Sequence, residues 1–283
     1  MSELEWQDVD RAIAAGLDED LRYGPDITSL ATVPADLVSK GAVITRQAGT
    51  VAGIDVALRV FDTVLGAGNY AVLSRIDDGT RVQPRDVVLT IEAPVQGMLT
   101  AERTMLNLLC HMSGIATATS AWVDAVDGTT CKIRDSRKTL PGLRALEKYA
   151  VRAGGGVNHR MGLGDEALIK DNHIVAAGSP IAALRAVRAS NPTIKCEIEV
   201  DRLEYLDEIL PEKPELVLLD NMPVWMTQMA VQRRNKVSPE TKLESSGGLT
   251  LDVAADYAGT GVDFLAVGAL THSVKVLDLG LDM

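Results

Sequence analysis

The stretch Asp135–His173, DSRKTLPGLRALEKYAVRAGGGVNHRMGLGDEALIKDNH, decides how the rest of the chain reads. It opens on polar and basic residues and passes through a helical pattern at Leu143, Leu146, Tyr149 and Ala150. It breaks at Gly154-Gly155-Gly156 and ends with apolar Ala167-Leu168-Ile169 running into Lys170. Proline near a first turn and glycines past the end are the usual punctuation of a helix, so one is predicted from about Pro141 to Ala153. Arg137 and Lys138 then fall just ahead of it, where backbone N–H groups and the helix dipole favour an anion. Arg144, Lys148 and Arg152, four apart, share one face, which reads as a solvated one.

Nine basic residues stand against four acids between Lys132 and Lys170, in a chain whose net charge is −11. A nucleic-acid binder usually carries its basic stripe on a basic domain. A local positive excess inside an acidic chain points instead to a concave site for small polyanions, with no nucleic-acid partner. Only two Phe and three Trp among 46% hydrophobic residues imply an aliphatic interior, as in buried parallel strands flanked by Ala-rich helices. The apolar runs are too short for a membrane span and the N-terminal MSELEWQDVD is acidic, so a cytosolic, membrane-free protein is expected. Cys110, Cys131 and Cys196 form no C-x-x-C pair and read as buried packing residues, and the four histidines lack metal-ligand spacing.

Outside the central stretch two patterns alternate. Residues 4–20 read as an amphipathic helix, with a turn or cap at Asp26. Lys40–Arg46 and Thr50–Gly53 read as a short hairpin, Ile54–Leu65 as a helix, and Tyr70–Ile76 and Asp86–Ile91 as strands around Asp77-Asp78-Gly79. Gly97 closes this small α+β unit, and a long helix follows from Ala101 to about Ala125. From about residue 130 short apolar strands alternate with helices, which means a parallel sheet. Strand ends are expected at Arg134, Lys170, Val200, Asp220, Ser246 and Gly268. An eight-fold barrel typically needs ~200 to 250 residues, more than remain here, so a truncated α/β barrel is the first reading and an open doubly wound sheet the second.

In such a barrel the polar residues after each strand gather at one mouth. Glu199 and Asp220 close apolar strands and could accept from sugar hydroxyls or position Mg²⁺, directly or through water. Glu197 is expected on the opposite face from Glu199 and is the weaker candidate. Ser246-Gly247-Gly248 and Gly268-Ala269-Leu270 follow two neighbouring late strands, where a phosphate commonly binds. Lys170 is an isolated base at a strand end: anion ligand, Schiff-base nucleophile or half of a salt bridge. His159 and Arg160 follow the glycine run, which delivers an imidazole and a guanidinium together.

These residues carry a resemblance. Asp135-Ser-Arg-Lys-Thr139, Pro141-Gly-Leu-Arg144, Leu146-Glu-Lys-Tyr-Ala150, Gly154-Gly-Gly156, His159-Arg160 and Leu168-Ile-Lys-Asp-Asn-His173 resemble the quinolinate phosphoribosyltransferases, the decarboxylating enzymes of de novo NAD synthesis. Glu102-Arg103, Leu106-Asn107, Ser113-Gly-Ile-Ala-Thr117, Glu197-Ile-Glu199, Asp220-Asn-Met222, Glu244-Ser-Ser-Gly-Gly248 and Leu270-Thr-His-Ser273 stand in the same order, so the likeness covers most of residues 20–275. Ser136 stands where the family often has Thr, and Ala266 where a Ser is common.

The resemblance implies an N-terminal α/β sandwich over residues 1–114, with the tail 273–283 returning to it, and an incomplete, six- or seven-stranded α/β barrel over 115–272. It implies a cytoplasmic homodimer, or a higher oligomer, whose substrates are quinolinate and phosphoribosyl pyrophosphate (PRPP), with Mg²⁺ on the pyrophosphate. By position, Arg103 (from a partner subunit), Arg137, His159, Arg160 and Lys170 would bind quinolinate, Ser136 would be a further substrate-binding residue, and Lys138 would sit nearer the pyrophosphate. Glu199 and Asp220 would address ribose and metal, and Ser246, Gly247, Gly248, Gly268, Ala269 and Leu270 the 5-phosphate. Lys138, Lys170, Glu199 and Asp220 are the expected catalytic set. The competing readings are a related transferase acting on nicotinate or another base, a barrel lyase using Lys170 as a Schiff base, and a non-catalytic phosphate-binding module.

Overall fold

The computed structural model describes residues 4–283. The chain divides into two units, one of Met1–Ser120, Thr139–Gly155 and Ala269–Met283, the other of Ala121–Lys138 and Gly156–Gly268.

The first unit begins with α1 (Trp6–Leu21), which buries Val9 and Ile13, and α2 (Ile27–Thr32), capped by the Asp26 carboxylate accepting from the Ser29 backbone N–H at 3.0 Å. Next come β1 (Val38–Thr45), β2 (Gly49–Thr50), α3 (Ile54–Leu65), β3 (Ala71–Arg75), β4 (Arg81–Val82), β5 (Val87–Pro94) and α4 (Val95–Ala125). Gly97 does not close a unit but sits within α4, packed so closely on Leu65 that a Cβ there would collide with it.

After α4 the chain forms β6 (Lys132–Arg134) and then α5 (Arg144–Ala153). The helix starts three residues later than the sequence suggests, because Gly142 takes a left-handed φ of 80° that no helix interior allows. Arg137 and Lys138 therefore precede the first residue of α5 by several positions in the sequence and do not flank its start. The solvated face expected for Arg144, Lys148 and Arg152 is also wrong: Lys148 is completely buried and Arg152 partly so. Beside Lys148 on α5, buried Glu147 takes the His111 imidazole at 2.9 Å and the Leu140 backbone N–H at 3.2 Å.

The second unit continues with β7 (Ala167–Ile169), α6 (Asp171–Ala177), α7 (Pro180–Ser190), β8 (Cys196–Val200), α8 (Leu203–Ile209), β9 (Leu216–Asp220), α9 (Val224–Val237), β10 (Lys242–Ser246), α10 (Ala254–Gly259) and β11 (Phe264–Ala266). All six strands from β6 to β11 are parallel, in the order β6-β11-β10-β9-β8-β7. The first strand thus lies beside the last and the others follow in sequence, which is the order of a barrel; a doubly wound sheet would reverse at a switch point. The barrel is left open between β6 and β7, where Val157 adds a single parallel bridge to Arg134.

The chain ends with α11 (Ala269–His272) and β12 (Leu279–Asp282) in the first unit. β12 pairs antiparallel with β1, giving a sheet of order β12-β1-β5-β3. β1 and β2 do not form the expected hairpin: β1 lies between β12 and β5, while β2 pairs with β4. Gly41, Val43 and Thr45 of β1 are buried on one face, and the two residues of β2 are too short a partner for eight. Among the described residues no helix is long and apolar enough to cross a membrane.

Candidate active site

Parallel strands that share a barrel deliver their C-terminal ends to one rim, and residues two apart on a strand point to the same side. The inward parity here runs through Glu197 and Glu199 on β8, Leu218 and Asp220 on β9, Glu244 and Ser246 on β10. A cavity of about 480 Å³ opens at this rim within the second unit, and all these residues except Glu197 line it. The wall is completed by Ser136, Arg137 and Lys138 after β6, His159 and Arg160 from the seam, Leu168 of β7 and Lys170 just after it, and Ala266 of β11 with Gly268 beyond it.

The basic side of the cavity is built around two guanidiniums. Arg160 is only 9% exposed; its Nη1 donates to the Glu166 carbonyl at 2.9 Å, but its Nε is buried with no partner. Arg137 Nε is likewise buried and unpartnered. Burial first, and then the Arg137 charge, hold the Arg160 guanidinium below its ordinary pKa. An unmet buried donor costs about 1–3 kcal/mol, and a neighbouring like charge adds to that, so the arrangement favours a bound anion. Lys138 stands exposed beside them, its backbone N–H donating to Ser136 Oγ at 3.1 Å, which shapes the turn.

The acidic side carries Glu199 and Asp220. Lys170 Nζ lies 3.0 Å from Glu199 Oε2, and Asp220 Oδ2 accepts from Asn221 Nδ2 at 2.8 Å. Lys170 is half exposed against a carboxylate, the setting of an ion-pair partner and not of the desolvated amine that Schiff-base chemistry asks for. Two hard carboxylates at one rim suit Mg²⁺, which keeps several waters and takes one or two protein oxygens.

Not every predicted residue lies on this wall. Ser246 and Gly268 line the cavity, whereas Gly247 and Gly248 shape the loop behind it with φ of 95° and 59°. Gly247 is required there, since a Cβ would run into Asn221. The first helical turn after this loop is a 3-10 turn at Leu251–Val253, ahead of the short α10, and not a long helix meeting the glycines. Ala269 is exposed and Leu270 buried on α11, and Arg103 is exposed on α4, all three in the first unit.

The floor of the cavity holds what the sequence reading missed. Glu197 lies on the same face as Glu199, not the opposite one, because two residues along a strand complete one pleat. It is fully buried, with Oε2 2.8 Å from His159 Nε2. Fully buried Glu244 takes Arg134 Nη1 at 2.8 Å, and Arg134 Nη2 lies 3.6 Å from Glu166. His159 is fixed below by the Asp135 carboxylate, which accepts its backbone N–H at 2.7 Å, and its Nδ1 accepts the Arg160 backbone N–H at 2.7 Å. The imidazole therefore carries its proton on Nε2, aimed at the floor, and presents only its ring to the cavity. His159, Glu197 and Glu244 lie close enough together to enclose a metal, but the Arg134 guanidinium already occupies Glu244 and opposes a cation there.

The family model described as the C-terminal domain of quinolinate phosphoribosyl transferase matches residues 115–282, and that of the N-terminal domain matches residues 26–113. The chain is 64% identical over 283 residues, all of both chains, to the nicotinate-nucleotide pyrophosphorylase [carboxylating] of Mycobacterium leprae. It is 38% identical over 94% of its length and 90% of the relative's to a probable nicotinate-nucleotide pyrophosphorylase [carboxylating] of Bacillus subtilis. The crystal structure of NadC from Streptococcus pyogenes superimposes with a TM-score of 0.93 at 34% identity, covering 100% of this chain and 98% of that one. The chain belongs to the quinolinate phosphoribosyl transferase family.

Proposed function

We propose that this protein transfers the phosphoribosyl group of PRPP to the ring nitrogen of quinolinate and removes the 2-carboxylate, giving nicotinate mononucleotide, pyrophosphate and carbon dioxide for NAD synthesis. The observation that carries this reading is the pairing of half-buried Arg137 and buried Arg160 in one cavity, each with a buried Nε that has no partner. A pyridine dicarboxylate supplies two adjacent anionic groups to such a pair, and bidentate guanidinium–carboxylate contacts fix the ring plane. Lys138 and Lys170 extend the positive field toward the pyrophosphate of the co-substrate.

The transfer passes through a ribosyl group with oxocarbenium character while negative charge builds on the departing pyrophosphate. Groups placed beforehand for that charge distribution lower the barrier without rearranging during the reaction. Lys138 would meet the leaving group, and Glu199 and Asp220 would accept from the ribose hydroxyls. Glu199 and Asp220 would hold Mg²⁺, directly or through water, and the ion would supply positive charge to the pyrophosphate. Holding the ring nitrogen in line with the ribose carbon is the remaining task, and it falls to Arg137 and Arg160. The 5-phosphate goes to Ser246 and Gly268, which line the cavity after β10 and β11. The working form is a cytoplasmic homodimer in which Arg103 of one subunit completes the quinolinate pocket of the other.

Incubation with PRPP, Mg²⁺ and quinolinate labelled in the 2-carboxyl group tests the reaction. The expected result is labelled carbon dioxide and pyrophosphate in equal amounts; pyrophosphate without carbon dioxide would mean that the base is not decarboxylated here.

A further inference from the structure

Two carboxylates, an imidazole and a guanidinium are buried together beneath the anion pocket, and phosphoribosyl transfer leaves them without a task. Glu244 is completely buried on β10, yet it forms part of the cavity wall. Its Oε2 is held by Arg134 at 2.8 Å, while its Oε1 and both Glu197 carboxylate oxygens are buried beside it. The groups facing Glu244 are Arg134 on β6, Glu197 on β8 and His159 from the seam, whose Nε2 is 3.8 Å from Oε1. Glu166 and Arg160 act on the same cluster from beyond Arg134 and Glu197.

Two carboxylates in a dry interior do not both stay ionised; the pair retains a proton. Burial first, and then the charge of Glu197, push the Glu244 carboxyl far above the ordinary carboxylate range, and Glu197 hydrogen bonds with it. His159 cannot be the acid that reaches the cavity, since Nδ1 accepts from the Arg160 backbone and Nε2 points at Glu197. Glu244 is the one group of this cluster that combines an acidic hydrogen with a place in the cavity wall.

Resting on the decarboxylating reading above, we infer that Glu244 donates the hydrogen that replaces carbon dioxide on the pyridine ring. The bond from C2 to its carboxylate breaks with the electron pair left on C2, next to the ring nitrogen made cationic by its new bond to ribose. That pair takes the Glu244 hydrogen and forms C2–H. Glu244 becomes a carboxylate, stabilised by Arg134 at Oε2, and a solvent proton restores it once product has left. His159 is a positioning residue: it buttresses Glu197, which keeps the Glu244 proton from being lost to the barrel interior.

The test is Glu244→Gln, which keeps the shape and an acceptor for Arg134 but has no acidic hydrogen. Quinolinate binding, pyrophosphate release and carbon dioxide release are measured separately, each against pH. The expected result is quinolinate affinity within about twofold of the wild type and nicotinate mononucleotide formation slower by about a hundredfold or more, the scale of general acid catalysis. The decline of wild-type kcat as pH rises through about 8, where Glu244 ionises, is expected to vanish in the variant. Unchanged kcat, or a loss confined to quinolinate affinity, would overturn the assignment. If the variant fails to fold, the wild type alone decides: kcat that stays flat from about pH 7 to about pH 9.5 contradicts a donor titrating in that range. Absence of pyrophosphate release by the wild type with quinolinate would instead remove the reaction itself, so the two failures are distinguishable.

Discussion

Lys170 Nζ and Glu199 Oε2, 3.0 Å apart at the ends of neighbouring strands β7 and β8, form an ion pair on the cavity rim. Both side chains are fixed before substrate arrives, so the rim presents a cation and an anion at set positions. Lys170→Ala is expected to lower kcat/KM by about a hundredfold, on the scale of removing one preorganised charge from a transition state. The Lys170→Ala, Glu199→Ala double variant is expected to lose less than the product of the single losses, because each single change strands its partner. A steady-state double-mutant cycle measures this, and strict additivity would mean that the pair does not act as a unit.

The Arg137 and Arg160 guanidiniums have a different signature. On the proposed quinolinate pocket, Arg137→Ala or Arg160→Ala is expected to lose about 3 kcal/mol in kcat/KM, shared between KM and kcat. Thermal stability is expected to hold or rise in both variants, because each relieves a like-charge contact and an unmet donor. Activity loss together with a marked fall in Tm would make these residues structural.

Glu244 gives the fold a pH dependence whose sign follows from burial. Its carboxyl titrates near 4.5 when unfolded and is raised to about 8 in the barrel. The folded protein thus holds a proton that the unfolded chain has released, so this contribution is complete below about pH 4.5 and is lost as pH rises to about 8. Glu244→Gln mimics the protonated form at every pH. Urea midpoints of wild type and variant are expected to agree near pH 5 and to diverge toward pH 8, with the wild type falling behind. A constant difference across that range would mean that Glu244 is not the titrating group.

The rim of the site was legible because its residues obey one rule, a polar side chain closing an apolar run: Lys170, Asp220 and Ser246 all announce themselves that way. The floor was not, although the same period of two that placed Glu199 inward also places Glu197, and the step from Ser246 back to Glu244 repeats it. A charged residue inside an apolar strand looks like an error of patterning until Glu197 and Glu244 are found to meet each other, Arg134 and His159. The helix face of Lys148 failed for a related reason, since four-residue spacing describes a side of a helix and not what covers it. The pairing of β1 with β12 was out of reach locally: nothing near Val38–Thr45 announces a partner at the far end of the chain. Pro141 suggested a helix start, but the left-handed φ of Gly142 delays it to Arg144.

The dimeric site proposed for Arg103 is tested by subunit mixing. An Arg103→Ala chain and a Lys170→Ala chain, each impaired alone, are co-refolded. If pockets draw Arg103 from one chain and Lys170 from the other, half of the pockets in a heterodimer carry both residues, and activity is expected to return to about a quarter of wild type, since about half of randomly paired chains are heterodimers. No recovery, with heterodimer formation verified, would place both residues in the same chain's pocket.

The most direct test of a cavity built for a dianion is the ratio of kcat/KM for PRPP-dependent pyrophosphate release with quinolinate and with nicotinate, which lacks the 2-carboxylate. Buried donors left unmet by the smaller base predict a preference for quinolinate of about 10³ or more. Equal rates with the two bases, or a preference for nicotinate, would contradict the assignment of Arg137 and Arg160 as a dicarboxylate pocket.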